Sequence, residues 1–146
     1  MVGMELDVRA LPRTITRTEE RRLVDDEGGA PLRCCLRDSR PGEETVLAAV
    51  TPPGPQGPYA ESGPVFVHAD DCPGPAQAGY PDEFRHRTQV FRAYSTDGRI
   101  VGGQVVAPND DQEAVAESLL RTKGVTFLHS RNLVHGCYMF AIHPGA

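Results

Sequence analysis

Val90-Phe-Arg-Ala-Tyr-Ser-Thr-Asp-Gly-Arg-Ile-Val-Gly-Gly-Gln-Val-Val106 is the stretch whose reading decides the fold. Residues 90–94 and 100–106 are β-prone runs flanking Asp97-Gly98, a dipeptide that favours a primed turn and hence an antiparallel hairpin. Working outward, Asp110-Asp-Gln-Glu-Ala-Val-Ala-Glu-Ser-Leu-Leu-Arg-Thr-Lys-Gly124 reads as a helix over about 110–122. It has acids in the first turn, Val115, Leu119 and Leu120 on one face, basic residues in the last turn, and Gly124 as a C-cap. Beyond it, residues 125–129 and 137–142 read as two strands around a turn at 131–136.

Toward the N-terminus the signals are shorter. Residues 4–11 alternate apolar and polar, which predicts a strand. Thr18-Glu-Glu-Arg-Arg-Leu-Val reads as the start of a short helix with Thr18 as N-cap, ended by Gly28-Gly29. Residues 32–36 and 44–50 read as strands joined around the turn-forming Asp38-Ser-Arg-Pro-Gly42. The Pro/Gly-rich segments 51–58 and 69–81 are loops that cannot donate to a sheet ladder throughout. Strands in hairpin order with few helices give an α+β class. The expected architecture is a single domain over 1–146, a mostly antiparallel twisted sheet with one principal helix and a short N-terminal one.

Composition narrows the partners. The 146 residues are 39% hydrophobic and 24% charged, ordinary for a globular chain with a real core. A net charge of -5 without a basic stripe argues against nucleic acid, as does an aromatic content of 6%. No apolar run approaches membrane-spanning length and no signal-peptide pattern is present, so the expectation is a cytoplasmic protein with reduced cysteines. The sequence specifies no cofactor and no oligomeric state.

The densest chemistry lies in Tyr59-Ala-Glu-Ser-Gly-Pro-Val-Phe-Val-His-Ala-Asp-Asp-Cys72, where reactive groups surround one short apolar run. Residues 64–68 read as a strand, and sites favour loops held by a rigid element. The site is expected where segment 59–72 meets the turn at 129–137. There Glu61 and His68 serve as base and acid, and Cys137 as a nucleophile if a neighbouring cation lowers its pKa. Arg131 would grip an anionic group, with Tyr59 and Arg92 as further binding residues. His129 shares an apolar face and is the reserve candidate. His68, Cys72, His135 and Cys137 form an alternative zinc-type ligand set, although His-x-x-x-Cys and His-x-Cys are not common zinc-knuckle spacings.

Several segments recur in a known order: Leu36-Arg-Asp38, Gly42-Glu43, Tyr59-x-Glu61-x-Gly-Pro-x-Phe-x-His68-x-x-x-Cys72, Arg92-x-Tyr94 and Arg131-x-x-x-x-Gly136-Cys137. From about residue 30 onward the chain resembles the bacterial family catalogued as domain of unknown function 1203. The resemblance implies a small stand-alone protein and assigns no activity. It also implies a first cysteine pair spaced Cys-x-x-Cys, whereas here Cys34 and Cys35 are adjacent. Three functions are compatible with these residues. One is a pocket for a small, in one version anionic, molecule with acid–base or thiol catalysis. The others are a non-catalytic ligand- or protein-binding module and a domain with a structural His/Cys metal site.

Overall fold

The computed structural model describes residues 4–145. Strands β7 (Gln89–Tyr94) and β8 (Ile100–Val106) form the expected hairpin. Its turn differs from the primed type. Gly98 N–H donates to Ser95 O at 3.0 Å, and of the central residues only Gly98 takes a positive φ, +82°. This is the three-residue loop in which a type I turn hands over to a left-handed residue. An added Cβ at Gly98 would lie 2.9 Å from Pro55 Cβ, so the turn is pressed against the 51–58 loop. Gly98→Ala is therefore expected to cost about 1–2 kcal/mol from the left-handed backbone alone, plus the clash. Gly124→Ala, at φ +90° in open space, should cost less; equal urea midpoints for the two variants would refute the contact.

The hairpin belongs to a five-stranded antiparallel sheet in the order β1 (Leu6–Arg9), β10 (Tyr138–Pro144), β9 (Phe127–Asn132), β7, β8. The helix α1 (Gln112–Leu120) lies against β7 to β10 and buries Gln112, Ala116 and Leu120. It is shorter than the expected 110–122 at both ends: the two leading aspartates sit outside it, and it stops at Leu120 with Arg121 as C-cap. Asp111 is the N-cap, accepting from Ala114 N–H at 3.1 Å, and Asp110 accepts from Ala107 N–H at 2.8 Å. Beneath the helix, Phe140 is fully buried, edge-on to Tyr80 at 5.5 Å and stacked on Phe84 at 6.2 Å.

A second five-stranded sheet runs β2 (Thr18–Asp25), β5 (Glu43–Val50), β6 (Gly63–His68), β3 (Pro31–Leu32), β4 (Arg37–Asp38). It is antiparallel apart from the β3–β6 pair, where Leu32 stands beside Phe66. Strand alternation sends Val46, Ala48, Val50, Val65 and Val67 into a core shared with Leu11 and Tyr138 of the first sheet's side. Thr45, Leu47, Phe66 and His68 occupy the opposite face by the same alternation. The architecture is α+β, mostly antiparallel, with one α-helix among the described residues besides a short 3-10 turn at Asp82–Phe84.

Two N-terminal expectations are corrected. The short helix from Thr18 is strand β2, paired with β5 from Asp25↔Glu43 to Thr18↔Ala49. It is an edge strand exposed on both faces, so neither face selects apolar residues and no alternation shows. The second correction concerns residues 32–36. Only Pro31–Leu32 is strand; the chain then reverses over 33–36, closed by Leu36 N–H to Leu32 O at 2.9 Å with Leu36 at φ +56°. The expected pairing of 32–36 with 44–50 gives way, because β5 is flanked by β2 and β6.

Candidate metal centre

His68 closes β6, and the turn at 33–36 hangs beside it. Arg33 N–H donates to Phe66 O at 2.9 Å, and His68 N–H donates to Cys34 Sγ at 3.3 Å. An extended strand would send the adjacent cysteine side chains to opposite faces; this turn keeps both sulfurs on the His68 side. Cys34 Sγ lies 3.4 Å and Cys35 Sγ 3.7 Å from His68 Nδ1, and the two sulfurs are 4.0 Å apart. Cys72, four residues beyond His68, completes the group. One ligand atom from each of the four residues lies within 4.8 Å of the others. Cys35 and Cys72 are 8% and 5% exposed, and Leu32 packs with them.

The outer nitrogen of His68 is held by charge. Glu43, the first residue of β5, makes a two-pronged pair with Arg37 at 2.8 Å on both oxygens. His68 Nε2 is 3.0 Å from Glu43 Oε2 and 3.0 Å from Arg37 Nη2. The Arg37 pair holds the Glu43 carboxyl far below its usual range, helped by the Arg40 amide and His68 and opposed by burial. A proton on Nε2 donates to Glu43 and leaves the Nδ1 lone pair facing the sulfurs. A proton on Nδ1 instead faces Cys34 and lets Arg37 donate to Nε2.

The sulfurs share charge unequally. The Cys35 thiol beside it draws Cys34 down to about 5, with burial opposing and the His68 amide and Cys72 thiol assisting. Cys35 is pushed up, first by Cys34 and then by burial. Burial likewise raises Cys72. The negative charge thus favours Cys34 over Cys35 and Cys72. Two clefts open onto it. One of about 590 Å³ is bordered by Arg13, Arg17, Cys34 and Cys72. The other, of about 420 Å³, is bordered by Cys35, Arg37, Cys72 and Tyr80.

The remaining site residues read from the sequence lie elsewhere. Glu61 precedes β6 and His68 ends it, a separation of about 20 Å along an extended strand. Glu61 pairs with Arg92 at 2.7 Å and approaches Arg131 at 3.7 Å. Tyr59, exposed, and His129 border the same small recess as Glu61 and Arg131. Cys137 and His135 border a 200 Å³ cleft with Glu61 and Arg131. The structure thus brings His68 and Cys72 together with Cys34 and Cys35, not with His135 and Cys137, and gives His68 a carboxylate partner in Glu43, not Glu61. His129 is a core histidine: it packs on Tyr94, Phe127 and Tyr138, and burial, with Arg131 assisting, lowers its pKa to about 3.

Glu43 makes the acid side of stability testable. Its folded pKa is depressed below the ordinary 4.5, so its contribution is complete above that value and is lost as pH falls toward the folded pKa. Glu43→Gln is expected to flatten the fall in Tm between neutral and acid pH relative to the parent. Parallel Tm–pH curves would show that the Arg37–Glu43 pair contributes nothing to folding.

The chain belongs to the family described as Protein of unknown function (DUF1203), which matches residues 29–143 of 146. That span contains Cys34, Cys35, His68 and Cys72 together with Arg37 and Glu43. No curated protein and no solved structure matches the chain. Among the described residues no helix is long and apolar enough to cross a membrane.

Proposed function

We propose that this protein holds one zinc-type metal ion through Cys34, Cys35, His68 and Cys72. The observation that carries the reading is the spacing of the donors. A tetrahedral centre with Zn–S about 2.3 Å and Zn–N about 2.0 Å has S···S edges of about 3.8 Å and S···N edges of about 3.6 Å. The observed edges are 4.0 Å between Cys34 and Cys35, and 3.4 and 3.7 Å from them to His68. Three thiolates and an imidazole favour zinc over harder ions, and four protein ligands make a closed, structural centre. The Glu43 contact supports the same reading, since a metal-bound imidazole commonly donates its other N–H to a carboxylate. Such an ion would also drive off the protons held on Cys35 and Cys72.

The test is elemental analysis of untagged protein prepared without added metal or chelator. About one zinc per chain is expected, falling toward zero in Cys34→Ser, Cys35→Ser, His68→Ala and Cys72→Ser and unchanged in Cys137→Ser. Cobalt(II) substituted into the parent should give the visible bands of a tetrahedral thiolate centre. Absence of stoichiometric metal, with no cobalt bands on titration, would sink the reading.

One observation favours a second reading, thiol chemistry at Cys34 on a small molecule in the larger adjoining cleft. Cys34 is half-buried, borders that cleft with Arg13 and Arg17, and is drawn down to about 5. A thiolate at neutral pH is the reactive form. Iodoacetamide should then alkylate Cys34 faster than Cys72 or Cys137, with a rate that changes little between neutral and alkaline pH. A rate that climbs steeply over that range would exclude a preformed thiolate.

A further inference from the structure

A cleft separate from the sulfur cluster carries an independent site. It has a volume of about 640 Å³, within the range of small-molecule pockets. Thr45, Leu47 and Phe66 of the outer face of β5 and β6 border it, with Leu23 and Val24 of β2 exposed at its side. Against this apolar surface stand Arg33 and Arg87, and the carboxylate of Asp25, which accepts from the Gly28 and Ala30 amides and the Ser39 hydroxyl.

Arg33 is 3% exposed. Its Nε donates to Tyr138 O at 2.7 Å and its Nη1 to Pro31 O, while Nη2 has no acceptor among the described residues. No carboxylate of those residues pairs with it. Burial lowers its pKa, yet a guanidinium stays a cation at neutral pH. A buried charge without a counterion is costly, and such an arrangement calls for an anion. Two further polar atoms beside the same cleft are orphaned. Thr45 is 0% exposed and its hydroxyl has no hydrogen-bond partner among the described residues; Arg87 Nε is buried and equally unpartnered among them. Buried polar groups are ordinarily satisfied, so a cation, a hydroxyl and an N–H left free around one apolar cleft form a recognition pattern.

We propose that this cleft binds a small amphipathic carboxylate, its two oxygens on the Arg33 guanidinium and the Thr45 hydroxyl and its aliphatic body on Leu47, Phe66 and Leu23. Arg87 is already paired with Asp38 at 2.9 Å, so the cleft offers one unpaired cation, which suits a singly charged carboxylate better than a doubly charged phosphate. The site involves none of the proposed metal ligands and stands whether or not the metal reading holds.

The test uses hexanoate and its uncharged counterpart 1-hexanol, titrated separately into the full chain at neutral pH and followed by amide chemical shifts. Hexanoate should move the Thr45, Leu47 and Phe66 amides saturably, and hexanol should bind about tenfold more weakly, the loss of one charge-assisted hydrogen bond. Thr45→Val and Arg33→Gln should each shrink that ratio. Arg33 also ties the Pro31 and Tyr138 carbonyls, so where its variant does not fold, Thr45→Val and the parent ratio decide. Equal affinity for the two probes, or saturable shifts by hexanoate at other amides alone, or no saturable shift, overturns the proposal.

Discussion

If the proposed metal ion is bound, Cys72→Ser is expected to release it and to lower the stability of the metal-loaded protein by about 3–4 kcal/mol. That is the mass-action stabilisation from an ion present at several hundred to a thousand times its dissociation constant. The size follows from the position of the residue. Cys72 is 5% exposed and closes a donor group whose other members sit on β6 and on the turn after β3. Serine keeps the shape within one atom but offers a hydroxyl that binds zinc poorly at neutral pH. After chelation the variant and parent should differ by only about 1 kcal/mol, the scale of a small buried substitution. Cys137→Ser, whose sulfur borders a different cleft, should show no metal-dependent loss. Urea unfolding with and without chelator measures all three proteins, and a chelator-insensitive parent would end the metal interpretation.

Phe140→Ala is expected to cost about 3–5 kcal/mol, the range for deleting a buried aromatic ring and leaving a cavity. Phe140 is fully buried and meets Tyr80 and Phe84 in ring contacts, so its loss removes packing from two segments that otherwise lack regular strand partners. Tyr80 is the penultimate residue of the 69–81 loop and Phe84 sits in the 3-10 turn. The same substitution at Val101, half-exposed on β8, should cost under about 1 kcal/mol. Denaturant midpoints at constant m distinguish the two; a loss below about 2 kcal/mol at Phe140 would mean that the core collapses around the gap.

Legibility in the sequence tracked how local the deciding interactions are. The β7–β8 hairpin and α1 were readable because Asp97-Gly98 and Asp111 act within a few residues of themselves. β5 and β6 were readable from short apolar runs bounded by turn residues. β2 was not, because Thr18-Glu-Glu-Arg-Arg satisfies helix-start chemistry locally and its strand state comes from the distant partner β5. The candidate site divides in the same way. His68 and Cys72 stand out in the sequence, four residues apart at the end of one strand. Cys34 and Cys35 read in the sequence as parts of a strand that would separate their sulfurs; the turn in which Leu36 takes a left-handed conformation, unusual for a bulky residue, keeps them together. Glu43 and Arg37 stood within the recurring motif, yet their contact with His68 depends on the pairing of β5 with β6, in which Thr45 faces His68. The residues of the second cleft carried no signal, since an arginine without a counterion is recognisable only once the fold has buried it.

The free edge of β2 has a consequence for how copies of this molecule meet. An unpaired strand edge offers its amides and carbonyls to any second strand, the usual route to sheet-to-sheet association. Here Glu19, Glu20, Arg21 and Arg22 run consecutively along it, and the pairing register slips between Thr18 and Arg21, with Glu19 at φ +53°. An incoming strand would have to desolvate four charges and match an irregular ladder at once. The segment that looks least like a strand is therefore the one that protects the second sheet from growing by intermolecular addition at that end.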